Sequence, residues 1–152
     1  MFEYRSAKFA DVEEIYSLIA GYAAQGLMLP KPYNVLYEAL REFIVAVEVD
    51  TGKIVGTGAL HLTWNELAEV RSMAVHQDYK RQGIGAEIVK KLLEQGREIG
   101  VKSFFTLTYS PEFFQSLGFQ TTTRESLPHK IWKECIDCPK FANCDEIAMT
   151  LD

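Results

Sequence analysis

Met73-Ala-Val-His-Gln-Asp-Tyr-Lys-Arg-Gln-Gly-Ile-Gly-Ala86 decides how this chain is read. Its first residues end a strand, its middle is a polar turn, and Gly83 and Gly85 open an amphipathic helix, Ile84–Gly100. The first turn of a helix leaves backbone N–H groups without intrahelical acceptors and carries the positive end of the helix dipole. A strand, a turn and a glycine-rich helix start therefore aim main-chain donors at an anion. Without a Cβ at Gly83 or Gly85, a phosphate can approach the main chain closely. A diphosphate-bearing cofactor suits such a seat, although glycines at a helix start also serve plain turn chemistry.

Two familiar phosphate motifs do not fit. The dinucleotide fingerprint needs a third glycine where Ala86 stands out of place, and it follows the first strand of a βαβ unit. The loop ending in Gly-Lys-Ser/Thr is absent.

Outward from this stretch, the pattern alternates strands and helices. Phe2–Arg5 reads as a strand and Ala10–Ala24 as a helix, with Val12, Ile15, Tyr16 and Ile19 on one face and Asp11, Glu13 and Glu14 near its N-terminus. A short helix is expected near Val35–Arg41. Phe43–Val49 and Lys53–Leu62 flank Asp50-Thr-Gly52 as a hairpin. Leu67–Val75 is the strand before the glycine loop. The helix after it buries Ile88, Val89, Leu92, Leu93 and Ile99, with Gly100 as its stop. Ser103–Thr108 reads as a strand, Pro111–Leu117 as a helix opened by proline, and Phe119–Thr123 as a strand. Glu146–Leu151 is expected to close the sheet.

At 152 residues the chain has the size of one domain, 1–152, with room for a hydrophobic core. A formal net charge of −5 argues against nucleic acid as a partner, and an acidic substrate must find local cations against the global field. No apolar run approaches the roughly 20 residues that span a bilayer, so no membrane partner is expected. Met1-Phe-Glu-Tyr-Arg5 lacks a signal-peptide layout, and the expected location is the cytoplasm. A homodimer stays open.

Lys80-Arg-Gln-Gly-Ile-Gly85 resembles the pyrophosphate-binding segment of the GNAT superfamily of acyl-CoA N-acyltransferases, whose pattern is Gln/Arg-x-x-Gly-x-Gly/Ala. Lys80 stands where Gln or Arg is usual. The element order from Phe2 to Gln120, and Gly118-Phe119 after a short helix, fit the same superfamily. The resemblance implies an α/β (α+β) GNAT fold: a mixed, mostly antiparallel sheet of six to seven strands flanked by about four helices. It implies acetyl-CoA as co-substrate. Backbone groups of Met73, Ala74 and Val75 would pair with the pantetheine arm as with an added strand. Amides of Arg81, Gln82, Gly83, Ile84, Gly85 and Ala86 would hold the pyrophosphate, with Phe114 beside the cofactor. An amide near Val75 would face the thioester oxygen, where negative charge develops. The substrate amine attacks directly, so the protein positions reactants and manages protons.

The family places a glutamate six residues before the pantetheine-pairing valine, and here that residue is Glu69. An α-amino group titrates near pH 8, so a carboxylate acting through water suffices as base. The alternative is a strand charge or a partner for Arg71. Strand alternation puts Glu69, Arg71, Met73 and Val75 on one side and Val70, Ser72 and Ala74 on the other. Many family members carry a tyrosine at the position of Phe114, which has no proton to give. Thr108, Tyr109 or Ser110 are the substitute donors, unless CoA leaves unaided as a thiolate. His61 and His76 read as strand and turn residues.

Gly26-Leu-Met-Leu-Pro30, the compact loop Thr106–Phe114, and Leu127-Pro-His-Lys-Ile-Trp-Lys-Glu-Cys135 with its continuation to Met149 narrow the resemblance. They look like the short stand-alone amino-acid N-acetyltransferases of arginine biosynthesis, similar to the catalytic domain of N-acetylglutamate synthase. That implies a small-molecule acceptor, L-glutamate, and the product N-acetyl-L-glutamate. Two carboxylates need at least two cationic or multidonor sites, and the candidates are Lys31, Arg71, Ser72 and Lys130. The alternatives are acetylation of another small amine or a protein N-terminus, or an acetyl-CoA sensor without catalysis, which Phe114 favours. Cys135, Cys138 and Cys144, with His129 upstream, have the donor types for a structural zinc; three free thiols are the alternative. The segment 127–145 that carries them is expected to pack on the domain.

Overall fold

The structure is a computed structural model, and it describes residues 1–123 and 146–152. In chain order the described elements are β1 (Phe2–Ser6), α1 (Val12–Ala24), α2 (Tyr33–Glu38), β2 (Phe43–Glu48), β3 (Ile54–Trp64), β4 (Leu67–Val75), α3 (Ile84–Glu98), β5 (Ser103–Thr108), α4 (Pro111–Gln115), β6 (Gln120–Thr121) and β7 (Ile147–Leu151). They form a seven-stranded sheet in the order β1-β2-β3-β4-β5-β7-β6. Only β4 and β5 run parallel; the other neighbouring pairs are antiparallel. The expected GNAT architecture is therefore present.

The periodicities explain the two sides of the sheet. On one face α3 buries Ile84, Ile88, Val89, Leu92 and Leu93 against Ala46, Val55, Leu60, Ala68, Val70 and Phe104. Each such aliphatic burial is worth about 2 kcal/mol. On the other face α1 and α2 supply Val12, Ile15, Ile19 and Leu36 to a second core with Phe43, Val45, Ile54 and Ala59. Ahead of α1, Asp11 accepts from Arg5 Nη1 at 2.7 Å, Arg5 Nη2 at 3.1 Å and the Lys8 N–H at 2.8 Å, which fastens β1 to the helix start.

Several boundaries move for local reasons. A 3₁₀ turn, Phe9–Asp11, precedes α1, and a second, Leu40–Glu42, replaces the expected end of the short helix. That helix starts earlier, at Tyr33, because Pro32 takes the extended cap conformation. The expected strand Phe119–Thr123 shrinks to Gln120–Thr121, since Phe119 turns into the core and its N–H donates to the Phe114 carbonyl. α3 ends at Glu98, and Ile99 is exposed rather than on its apolar face. The last strand does not close the sheet at its edge: β7 inserts between β5 and β6.

A bulge in β4 governs the site. Along the β3–β4 pair, Thr57 faces Ala74 but Ala59 faces Arg71, so β4 carries one residue more than its partner. Ser72 sits at φ +58 in this bulge, in the left-handed region that side chains rarely adopt. The extra residue reverses the alternation. A Cβ on Gly58 would fall against Met73 Sδ and 2.8 Å from Ile88 Cγ2, which places Met73 on the α3 face; Val75 packs against the same core. Glu69 and Arg71 instead face the α1–α2 side beside Glu42. The expectation that Glu69, Arg71, Met73 and Val75 share one side is wrong, because strict alternation has no place for a bulge.

Candidate active site

β4 and β5 touch only at their beginnings. Leu67, Ala68 and Glu69 pair with Ser103, Phe104 and Phe105, and Thr106 Oγ1 then donates to the Val70 carbonyl at 2.9 Å. Beyond that point the strands share no further register pairs. β5 stays paired with β7 through Thr108, and β4 stays paired with β3 through Val75. Between them opens a cleft of about 1200 Å³, walled by the ends of both strands, the start of α3, the end of α1 and α4.

At one end of this cleft lies the glycine loop. Arg81 and Gly83 have φ of +67 and +78, and the turn delivers Ile84 as the first helical residue. A Cβ at Gly83 would meet nothing within 4 Å, so its side faces open space. The first-turn amides of α3 have no intrahelical partners and point to the same end. Gly85 has a different reason to lack a side chain: its Cβ would lie 3.2 Å from Phe113 Cζ and 3.4 Å from Cε1. Gly83 serves the turn and Gly85 serves packing under α4. The open Gly83 face and unpaired helix start fit a diphosphate, and the unpaired edge of β4 fits an extended amide-bearing arm.

Towards the β4–β5 junction the cleft becomes charged. Glu69 Oε1 lies 3.7 Å from Arg71 Nη1, Arg71 Nη2 lies 3.6 Å from Glu42 Oε1, and Glu42 Oε2 is 3.0 Å from His61 Nδ1. Glu69 and Arg71 side chains are about 15% exposed and line the cleft. Glu42 Oε1 is buried and has no hydrogen-bond partner among the described residues, so the Arg71 charge is its recorded counterpart. Lys31 and Ser72 line the cleft and also a small neighbouring cavity with Glu42 and Arg71.

The Acetyltransferase (GNAT) family profile matches residues 9–119, which include both cores, the bulge and the glycine loop. The chain belongs to that family. It is an acyltransferase of GNAT type that uses acetyl-CoA. An uncharacterized N-acetyltransferase of Chlorobaculum tepidum is 38% identical over 95% of this chain and 92% of its own length. The amino-acid acetyltransferase of Mycobacterium tuberculosis is 42% identical over 76% of this chain and 66% of its own. The chain thus spans a little under two thirds of that relative, and 29% of the amino-acid acetyltransferases of Pseudomonas aeruginosa. The crystal structure of Rv2747 from Mycobacterium tuberculosis, in complex with CoA and NLQ, superposes with TM-score 0.84 at 32% identity over 98% of both chains. The N-acetylglutamate synthase of Neisseria gonorrhoeae, complexed with coenzyme A and N-acetyl-glutamate, has TM-score 0.88 at 23% identity, a likeness of fold, over 99% of this chain and 34% of that one.

Within this GNAT domain the remaining candidate residues are partly gathered. Met73, Val75, Arg81, Gly83, Ile84, Gly85, Ala86, Thr108, Tyr109 and Ser110 line the cleft. Ala74 is buried within the sheet. Phe114 is 4% exposed, packed edge-on against Phe113 and Phe119, and reaches the cleft only from within the core. Thr108 Oγ1 accepts from the Ser110 N–H at 2.8 Å, a contact that shapes the turn into α4. The Val75 N–H, in the stretch where an amide is expected to face the thioester oxygen, donates to the Tyr22 hydroxyl at 3.3 Å. His76 is a turn residue, accepting from the Asp78 N–H on Nδ1. Lys130, His129, Cys135, Cys138 and Cys144 lie outside the described residues. Among the described residues no group of His, Cys, Asp and Glu stands close enough to hold a metal, and no helix is long and apolar enough to cross a membrane.

Glu42, His61 and Tyr22 are the residues that sequence reasoning missed as parts of this cleft and its border. Glu42 and Tyr22 meet their partners across long separations that no local pattern reports. His61 had one usable signal, its position opposite Glu69 in the hairpin register.

Proposed function

We propose that this chain transfers the acetyl group of acetyl-CoA to the α-amino group of an amino acid, L-glutamate foremost, by direct attack in a ternary complex. One observation carries the reading: a cleft between two diverging strands has an anion-seating helix start at one end and Glu69, Arg71 and Lys31 at the other. The named relatives and the CoA-bound structural neighbours support it.

When bound, acetyl-CoA supplies an activated acyl group on a thiol leaving group. The chain's own part is binding and proton handling. Amides at the start of α3 hold the diphosphate, and Met73 and Val75 present main-chain groups to the arm. Glu69 accepts the amine proton, directly or through one water, and Arg71 at 3.7 Å orients its carboxylate. In this reading Tyr109, Thr108 or Ser110, which line the cleft, gives a proton to the departing sulfur.

Electrostatics sharpen the acceptor assignment. Among the described residues at this end of the cleft, Arg71 and Lys31 stand with Glu42 and Glu69. Glutamate brings two carboxylates and one ammonium, so its second carboxylate needs another donor, and Lys130 fills that role in this reading. A panel of amino acids and amines with detection of released thiol tests it. Turnover should be highest with glutamate. Turnover of neutral amines with none for glutamate or aspartate overturns the acceptor assignment, and CoA binding without transfer to any amine marks a sensor.

A further inference from the structure

None of the roles above uses Tyr22, yet its hydroxyl occupies the unpaired edge of β4. It donates to the Val75 carbonyl at 3.0 Å and accepts from the Val75 N–H at 3.3 Å. β4 is tied to β3 on its other edge, where the His76 N–H donates to the Val55 carbonyl at 2.8 Å. The polar groups of Val75 therefore serve the cleft. A hydroxyl is donor and acceptor at once, so one atom here does what an amide of an added strand would do. The Val75 N–H has a single hydrogen to give, and the two occupants exclude each other.

We infer that Tyr22 holds the cofactor's place on β4 and is expelled when acetyl-CoA docks, which makes it a positioning residue that couples the cofactor seat to the acceptor segment. The inference rests on the reading that β4 is the cofactor's pairing strand. Two further contacts give it a mechanism. Lys80 Nζ lies 5.4 Å from the centre of the Tyr22 ring, and Lys80 is next to the phosphate loop. A phosphate attracts an ammonium more strongly than an aromatic face does, so an arriving diphosphate draws Lys80 off the ring. The carbonyl of Tyr22 also accepts the amides of Gln25 at 3.1 Å and Leu27 at 3.0 Å. The residue whose hydroxyl rests on β4 is thus the anchor of the turn into Gly26, Leu27, Met28, Leu29 and Lys31, which line the cleft and, in the proposed function, its acceptor side. Expelling Tyr22 therefore reaches that turn.

Calorimetric titration of CoA into the wild type and Tyr22→Phe tests this. The variant keeps the ring and its contact with Lys80 but frees Val75, and CoA should bind roughly three- to tenfold more tightly, the worth of about one ordinary hydrogen bond. Unchanged or weaker binding by a variant with wild-type circular dichroism and thermal midpoint overturns the inference while leaving the cofactor reading intact. Absence of binding by folded wild type overturns both. A second measurement needs no variant. With ring-labelled tyrosine, CoA alone should shift the Tyr22 resonance together with the amides of 26–29; a Tyr22 signal unmoved at saturating CoA overturns the inference.

Discussion

Leu67–Glu69 and Arg71–Val75 belong to one strand, yet they live under different rules. The first stretch pairs with β3 on one side and β5 on the other, and Ala68 within it is fully buried. Among the described strands the second pairs with β3 alone; it bulges at Ser72 and turns its remaining polar groups toward a cleft. Backbone paired on both sides builds the core; backbone that no neighbouring strand takes up along one edge is a binding surface, because its N–H and C=O groups can pair with an added chain. The bulge between the stretches also separates two kinds of side chain. Glu69 and Arg71 keep the charged α1–α2 side, while Met73 and Val75 return to the apolar α3 side.

The deepest break in this contrast is expected at Glu69. Glu69→Gln should lower turnover about a hundredfold or more and move the pH optimum upward, with CoA affinity retained. Thiol release followed across pH checks it, and an unchanged profile removes Glu69 from the mechanism. Next comes the far end of the cleft. Gly83→Val places a β-branched residue at φ +78 and crowds the helix start, so CoA affinity measured by calorimetry should fall about a hundredfold. At the bulge itself, Ser72→Val should cost about 2 kcal/mol in urea unfolding, since a β-branched residue resists φ +58, whereas Ser72→Gly should keep both stability and activity.

The smallest effect on activity belongs to the well-paired part of the molecule. Burial works against ionised Asp11, but hydrogen bonds from Arg5 and the Lys8 N–H outweigh it and hold its carboxyl below the ordinary range. A depressed folded value stabilises the protein above the unfolded carboxyl pKa, about 3.9, and that contribution fades as pH falls through the folded value. Asp11→Asn should cost about 1–2 kcal/mol near pH 7, with kcat/KM retained, and the difference from wild type should shrink below about pH 4. A large loss of kcat/KM in folded Asp11→Asn would undo the division between scaffold and site.

Much of this was readable in the chain because it rests on local rules. The hairpin around Asp50-Thr-Gly52, the apolar face of α3 and the glycine turn before it all follow from periodicity and turn chemistry. What escaped reading depends on contacts distant in sequence. Ser72 looks like an ordinary alternating residue, and only the register with β3 reveals the bulge. Tyr22 reads as part of an amphipathic helix until Val75 is folded beside it. Gly85 reads as a phosphate glycine, and only the fold adds that a Cβ there would crowd Phe113. Glu42, in a 3₁₀ turn before β2, gives no sign that it will stand between His61 and Arg71.

Amide hydrogen exchange resolved by residue, with and without CoA, tests the central claim most directly. CoA should slow exchange at Met73, Val75 and the first turn of α3 while leaving Leu67–Val70 as protected as before. Protection unchanged along β4 and at Gly83–Ala86, in folded protein with saturating CoA, would contradict the assignment of the unpaired edge as the cofactor's seat.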